Sequence, residues 1–138
     1  MKTCIAVLFG CASVEHEISV ISAVQAMHSI DRQKYDILPI YVTKDREMYT
    51  GESLFDISAF KNIPELLKQC RRIYLTREGD KVLAKYTDKK AFEKNSGTII
   101  DVAFPIVHGT NCEDGTIAGY LEMLGVPYAA CDVTSSAL

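Results

Sequence analysis

The amino-acid sequence predicts an α/β fold with a mainly parallel sheet, and three observations support this class. Lys2–Phe9 is a nearly continuous apolar run, which is typical of a strand buried on both faces of a parallel sheet. A helical pattern to about Ile30 and a second apolar strand, Tyr35–Val42, follow it and complete a right-handed βαβ unit. A third apolar run, Val102–Val107, again leads through a polar loop into a helix.

The first helix is predicted from its start signals and its apolar spacing. Gly10-Cys11-Ala12-Ser13 is a turn of small residues, and Ser13 can cap the helix that follows it. Glu15 and Glu17 lie in or near the first turn, where carboxylates interact favourably with the helix dipole. The predicted inward face consists of Val20, Val24, Met27 and Ile30.

The middle of the chain predicts a β-hairpin insertion. Two β-prone runs flank Arg-Glu-Gly-Asp, which is a turn signal. The predicted elements of this region are a short return strand at 47–49, a loop at 50–60, a helix at Pro64–Cys70, hairpin strands at Ile73–Thr76 and Val82–Tyr86, and a charged loop or weak helix at 88–97.

The stretch from Asp101 to Tyr128 carries most of the candidate chemistry. A polar loop with His108, Glu113 and Asp114 follows the strand Val102–Val107. A strand that enters a helix through a polar loop places a ligand site at its carboxyl end. The helix is predicted from the spacing of Ile117, Leu121 and Leu124, with Gly125 as its stop and an extended piece at Val126-Pro127-Tyr128.

Composition limits the class of protein. With 138 residues, 48% of them hydrophobic, the chain is long enough for one domain with a proper core. The net charge of −3 gives no overall basic character for nucleic-acid binding, and the N-terminal apolar run is too short for a signal peptide or a membrane span. Five cysteines without a CxxC pair predict a reducing, cytoplasmic setting rather than a disulfide framework. Residues 61–94 hold 10 Lys/Arg against 5 Asp/Glu, and such a stretch is more often a solvated surface than an anion site.

Three groups of residues are candidates for a site, each with a simpler structural reading. The turn before the first helix is either only a helix start with capping acids or a site for an ammonium group, since two acids would repel a phosphate. A single histidine such as His108 at a strand end is more often a structural hydrogen-bonding residue than a catalytic one. The set of His108, Cys112 and Asp114 lacks a recognised zinc spacing, so we do not expect a metal there.

Two motifs in order resemble the D-alanine–D-alanine ligase family. Val-Glu-His-Glu-Ile-Ser follows the glycine turn, and His-Gly-x-x-x-Glu-Asp-Gly-Thr comes about ninety residues later. Leu-Glu-Met-Leu-Gly-Val-Pro-Tyr and the final Ser-Ser-Ala-Leu extend the resemblance over nearly the whole chain. It implies a Rossmann-like, three-layer pre-ATP-grasp domain, with Glu15 holding the ammonium of the first D-alanine and His108 close to that substrate. Ser13, His16 and Gly109 are expected beside them, and Glu113, Asp114 and Gly115 are expected to support the loop.

The resemblance also implies partners for this domain. ATP and Mg²⁺ are expected in central and C-terminal ATP-grasp domains outside residues 1–138, so the chain alone is expected to be inactive. The complete enzyme, expected to be a homodimer, would ligate D-alanine to D-alanine, D-lactate or D-serine for peptidoglycan precursors. An alternative is a free-standing amino-acid-binding or dimerisation module without catalysis. A generic nucleotide-binding domain is a weaker alternative, because the GxGxxG fingerprint is absent.

Four positions depart from the family pattern. Cys11 and Cys112 stand where the family has glycine in the two site loops, and glycine often serves where a backbone approaches a ligand closely. Ala118 replaces a glutamine, and Ala129-Ala130 replaces the glycine expected after Pro-Tyr.

The sequence finally makes a geometric prediction. If the strands ending at Phe9 and Val107 belong to one parallel sheet, the loops after them emerge from the same edge. Glu15 and His108 should then border one crevice, open toward the ATP-bearing domains.

Overall fold

A computed structural model describes residues 2–10, 16–88, 97–106 and 120–127. The strands are β1 (Thr3–Gly10), β2 (Tyr35–Val42), β3 (Met48–Thr50), β4 (Arg71–Glu78), β5 (Lys81–Tyr86), β6 (Thr98–Ile100) and β7 (Val102–Ile106). The helices are α1 (His16–Ser29) and α2 (Ile63–Gln69), with 3₁₀ turns at Glu52–Phe55 and Ile57–Lys61 and a helical segment at 120–124. None of the helices within the described ranges has the length and apolar character needed to cross a membrane.

The strands form one mixed sheet in the order β6-β5-β4-β3-β2-β1-β7. β1 pairs in parallel with both β2 and β7. The pairings of β2 with β3, β3 with β4, β4 with β5, and β5 with β6 are antiparallel. The predicted α/β class and the β-hairpin are therefore confirmed. The sheet is mixed rather than mainly parallel, because β3 returns directly after β2 and the following strands continue as a meander.

The two edge strands, β6 and β7, are consecutive in the chain and are separated only by Asp101. This strand segment pairs first with β5 and then with β1, so the sheet curls back on itself. Asp101 stabilises the change of partner. Its N–H donates to the Cys4 carbonyl at 3.0 Å, and its carboxylate accepts the Cys4 N–H at 2.7 Å.

Side chains of β1 alternate between two hydrophobic clusters, one on each face of the sheet. Ala6 and Leu8 face a cluster that includes residues of β4, β5 and β6 as well as Leu121 and Val126. Val7 and Phe9 face the other cluster, which α1, α2 and the 3₁₀ turns cover. β1 is thus buried on both faces, as its nearly continuous apolar sequence predicted.

Most predicted elements of the first half are confirmed. β2 has the predicted bounds, and Val20, Val24 and Met27 of α1 are buried. Pro64 lies in the first turn of α2, where the Asn62 side chain accepts the N–H of Glu65 at 3.3 Å.

Three segments differ from their sequence-based prediction. The predicted loop at 50–60 contains the two 3₁₀ turns. The turn between β4 and β5 is shorter than Arg-Glu-Gly-Asp, because Glu78 pairs with Lys81 and leaves only Gly79 and Asp80. β6 was not predicted, since three residues without a polar alternation give too short a signal.

Gly125 ends the helical segment 120–124 as predicted. It has a φ of 80°, and it donates to the Glu122 carbonyl while Val126 donates to the Leu121 carbonyl. These two bonds form a Schellman motif, for which glycine is the favoured residue. The chain then runs beside β7, where Ala103 donates to the Pro127 carbonyl at 2.8 Å. This bond agrees with the predicted extended piece, whose last residue, Tyr128, lies outside the described residues.

Candidate active site

Three parallel strands end at one edge of the sheet, here called the carboxyl edge. Gly10 of β1 pairs with Val42 of β2, and Phe9 of β1 pairs with Ile106 of β7. Neighbouring strands lie about 4.8 Å apart, so the chain leaves β1 and β7 at closely adjacent points. The prediction that both strands belong to one parallel sheet is therefore confirmed.

The topology places a switch point between β1 and β7. After β1, the chain passes through α1 to β2 on one side, whereas β7 pairs with the other side of β1. In open α/β sheets, ligands bind at such a switch point, outside the carboxyl ends of the strands. In the sequence, the candidate residues follow β1 and β7, whose ends lie at this point.

The candidate side chains themselves lie almost entirely outside the described residues. His16 is the first residue of α1, so its backbone is placed just after the loop from β1. The roles of the following residues stay predictions, since they fall in 11–15 or 107–119: Ser13, Glu15, His108, Gly109, Glu113, Asp114 and Gly115. The substituted positions Cys11, Cys112, Ala118, Ala129 and Ala130 also lie outside the described ranges.

Gly10 is the described residue from which the first of these loops departs. Its φ is 95°, and a Cβ at this position would lie 2.7 Å from the Val42 carbonyl oxygen and 2.7 Å from Cε1 of Tyr41. Both the dihedral angle and the contact with backbone require glycine here. The start of the loop toward Glu15 is therefore set by the close approach of β2.

A compact turn follows β2 at the same edge, and the sequence analysis did not single it out. Thr43 is buried, its Oγ1 accepts the N–H of Glu47 at 3.1 Å, and its own N–H donates to the Glu47 carbonyl at 2.8 Å. Arg46 adopts a φ of 66°, and its N–H donates to the Thr43 carbonyl. The Thr-Lys-Asp sequence directly after a strand was the available signal, because such residues favour turns with side-chain hydrogen bonds.

The Glu47 side chain, at the end of this turn, contacts two residues of neighbouring strands. The Glu47 carboxylate lies 3.3 Å from Arg72 and accepts the Tyr49 hydroxyl at 3.3 Å. Desolvation, together with the Glu47 charge, raises the pKa of Tyr49 above its usual value. Burial raises the pKa of Tyr41, which packs against Phe9 below Gly10, to about 12. Both phenols are thus neutral at physiological pH.

The described residues contain no group of three or more His, Cys, Asp or Glu side chains that could hold a metal ion. The set of His108, Cys112 and Asp114 lies outside those residues. The described part of the carboxyl edge thus fixes the points from which the two loops begin.

Sequence comparison identifies the family. The profile described as "D-ala D-ala ligase N-terminus" matches residues 4–131. This chain belongs to that family. The predicted resemblance is confirmed, and the match covers both loops that leave the carboxyl edge.

Individual relatives agree with this family assignment. The chain is 44% identical to the D-alanine–D-alanine ligase of Thermosipho melanesiensis over 134 residues, which is 96% of this chain and 35% of the relative. It is 40% identical to the D-alanine–D-alanine ligase of Caldicellulosiruptor bescii over 99% of this chain and 36% of the relative. The chain therefore spans little more than a third of the length of the curated ligases that it matches.

Solved structures of the family share the fold. The VanG D-Ala:D-Ser ligase from Enterococcus faecalis matches all of this chain and 38% of its own, with a TM-score of 0.71 and 32% identity. The D-alanine–D-alanine ligase from Coxiella burnetii matches 92% of this chain and 34% of its own, with a TM-score of 0.69 and 31% identity. A D-Ala:D-Ser ligase and a D-alanine–D-alanine ligase thus both contain this α/β unit.

Proposed function

We propose that residues 1–138 form the N-terminal, substrate-positioning domain of an ATP-dependent ligase that joins D-alanine to D-alanine, D-serine or D-lactate. The family assignment and the names of the relatives support the reaction class. One structural observation supports the site: β1 and β7 are adjacent and parallel, so the loops to Glu15 and His108 start from neighbouring points of one edge.

The proposed contribution of this domain is orientation of the first D-alanine. The Glu15 carboxylate would pair with the substrate ammonium, which fixes the carboxylate of the substrate toward the ATP-bearing domain. Holding two reactants in a reactive geometry lowers the entropic part of the barrier. His108 would lie beside the same substrate, with Ser13, His16 and Gly109 completing the wall of the crevice. Glu113, Asp114 and Gly115 would support the His108 loop.

The other reactants are proposed to bind in additional domains, which would correspond to the part of the relatives that this chain does not match. There, ATP and Mg²⁺ would supply activation of the first D-alanine as an acyl phosphate. The amine of D-alanine or D-serine, or the hydroxyl of D-lactate, would then displace phosphate. We also propose a homodimer for the complete ligase, which analytical ultracentrifugation of the purified enzyme would test.

The experiment that tests the proposal compares the complete ligase that carries this chain with residues 1–138 alone. With ATP, Mg²⁺ and D-alanine, the complete enzyme should release phosphate and form a dipeptide, whereas residues 1–138 alone should do neither. D-alanine binding by a complete protein that releases no phosphate with any of the three second substrates would contradict the proposal. That result would favour a non-catalytic amino-acid-binding module.

A further inference from the structure

A second cleft opens at the amino ends of β1 and β2, opposite to the carboxyl edge. Its volume is about 630 Å³, which lies within the range of small-molecule sites. Cys4 and Gly10 mark the two ends of β1, and six residues of extended strand separate them by about 20 Å. The cleft is therefore distinct from the proposed D-alanine site.

The floor of this amino-edge cleft includes apolar side chains. Leu38 of β2 and Ile99 of β6 line it together with Cys4 of β1. Cys4 is only 7% exposed, and its pKa is raised to about 11 by burial first and by the charges of Asp101 and Asp36 in addition. The thiol is thus protonated at physiological pH and does not repel an anion.

Three cations from separate segments surround this floor. Lys2 donates from its Nζ to the Arg32 carbonyl at 2.8 Å, and the Arg32 guanidinium lies 4.5 Å from the centroid of the Phe55 ring. Each of these two exposed side chains thus makes one contact with the fold. Lys81, the first residue of β5, contributes the third cation from another strand of the lining.

Two acids also line the cleft, but one of them is already used by the fold. The Asp101 carboxylate accepts the Cys4 N–H where the chain passes from β6 to β7, and Asp36 lies exposed in β2. Among the described lining residues, three cations against two carboxylates leave a net positive charge around this floor. A ligand that suits this lining carries an apolar body and one anionic group.

We propose that the amino-edge cleft binds a small amphipathic anion, with its apolar body on Cys4, Leu38 and Ile99 and its charge beside Arg32 and Lys81. This inference is independent of the proposed ligase function, because none of these residues lies at the carboxyl edge.

The test uses 8-anilinonaphthalene-1-sulfonate, which has an aromatic body and one sulfonate, in fluorescence titrations of the 138-residue chain. Lys81→Glu and Arg32→Glu should each raise the dissociation constant of the sulfonate about 5-fold, since each variant reverses one exposed charge. Lys68→Glu is the matched control, because that side chain is 76% exposed on α2, outside the cleft, and it should leave the constant unchanged.

The uncharged analogue N-phenyl-1-naphthylamine separates the apolar contribution from the ionic one. It should bind more weakly than the sulfonate, and Lys81→Glu should not change its affinity. Amide chemical-shift changes on adding the sulfonate should be confined to residues 2–4, 36–38 and 97–101. Equal sulfonate affinity in wild type and both cleft variants, or shift changes centred elsewhere, would overturn the proposal. So would binding that appears only with loss of the near-ultraviolet circular dichroism.

Discussion

The parallel and antiparallel halves of the sheet share the hydrophobic cluster that contains Leu8 and Ile73, but their strands are buried differently. β1, the central strand of the parallel half, is buried on both faces. In the antiparallel half, β4 alternates between buried residues such as Ile73 and Leu75 and exposed ones such as Tyr74. The parallel strands send three polar loops to one edge, whereas the hairpin closes with only Gly79 and Asp80.

This difference shows why candidate chemistry gathers in the parallel half. Two parallel strands cannot be joined by a tight turn, so the chain passes from β1 to β2 through the longer connection that contains α1. Antiparallel strands alternate their ends and need only short turns. The hairpin therefore completes the sheet, while the segments that follow β1 and β7 in the sequence carry the candidate site residues.

Gly10 precedes the loop after β1, and Gly79 begins the hairpin turn. Replacing each with alanine should lower the free energy of unfolding by different amounts. Gly10→Ala forces a Cβ against the Val42 carbonyl at a φ of 95°, and it should lower the free energy of unfolding by about 3 kcal/mol. Gly79→Ala also strains a positive φ of 65°, but nothing lies within 4 Å, so about 1 kcal/mol is expected. Urea unfolding followed by circular dichroism measures both. Equal losses would show that the two turns are under the same constraint.

In the complete ligase, Glu15→Gln should raise the apparent KM for the first D-alanine about 10- to 150-fold. The amide keeps the shape but removes the charge that pairs with the ammonium, and a charged hydrogen bond of this kind is worth about 1.5–3 kcal/mol. His108→Ala should also reduce turnover. Asp80→Asn in the hairpin turn is the control, and it should leave the steady-state kinetics unchanged. An unaltered KM for Glu15→Gln would reduce Glu15 to a helix-start residue.

The buried phenol below the carboxyl edge should make stability sensitive to alkaline pH. The pKa of Tyr41 rises from its ordinary value of 10.0 to about 12 in the folded state, because burial disfavours the phenolate. The unfolded chain therefore ionises first. The stability is complete below pH 10 and falls by about 2 kcal/mol as pH rises to 12. Tyr41→Phe should remove this part of the pH dependence in urea titrations, and parallel curves for both proteins would contradict it.

The turn after β2 should show the smallest effect. Thr43→Val keeps the shape of the buried side chain but leaves the Glu47 N–H without its side-chain acceptor, at a cost of about 1 kcal/mol. Thr76→Val in β4 is the control, because the Thr76 side chain forms no hydrogen bond with the described residues, and it should change the free energy of unfolding by less than about 0.5 kcal/mol. Thermal unfolding of the two variants checks the difference. A larger loss at Thr76 would reverse the expected ranking of the two halves.

Local sequence signals predicted the long elements well. The apolar runs gave β1 and β2, the spacing of Val20, Val24 and Met27 gave the inward face of α1, and Gly125 gave the end of a helix. The motifs around Glu15 and His108 predicted the family, which the profile match over residues 4–131 confirms. Short elements were missed, since β6 has only three residues and the turn at Thr43 depends on contacts that no apolar period reveals.

The sequence by itself determined the long strands and helices and the family to which the chain belongs. Both follow from patterns within a few residues, or from motifs that need no coordinates. Only the tertiary structure decided that β7 lies beside β1, and that the chain changes its pairing partner from β5 to β1 at Asp101. It alone also decided that a cleft with charged and apolar lining residues opens at the amino ends of β1 and β2. These features depend on pairings such as Cys4 with Asp101, 97 residues apart, and such pairings leave no local period in the sequence.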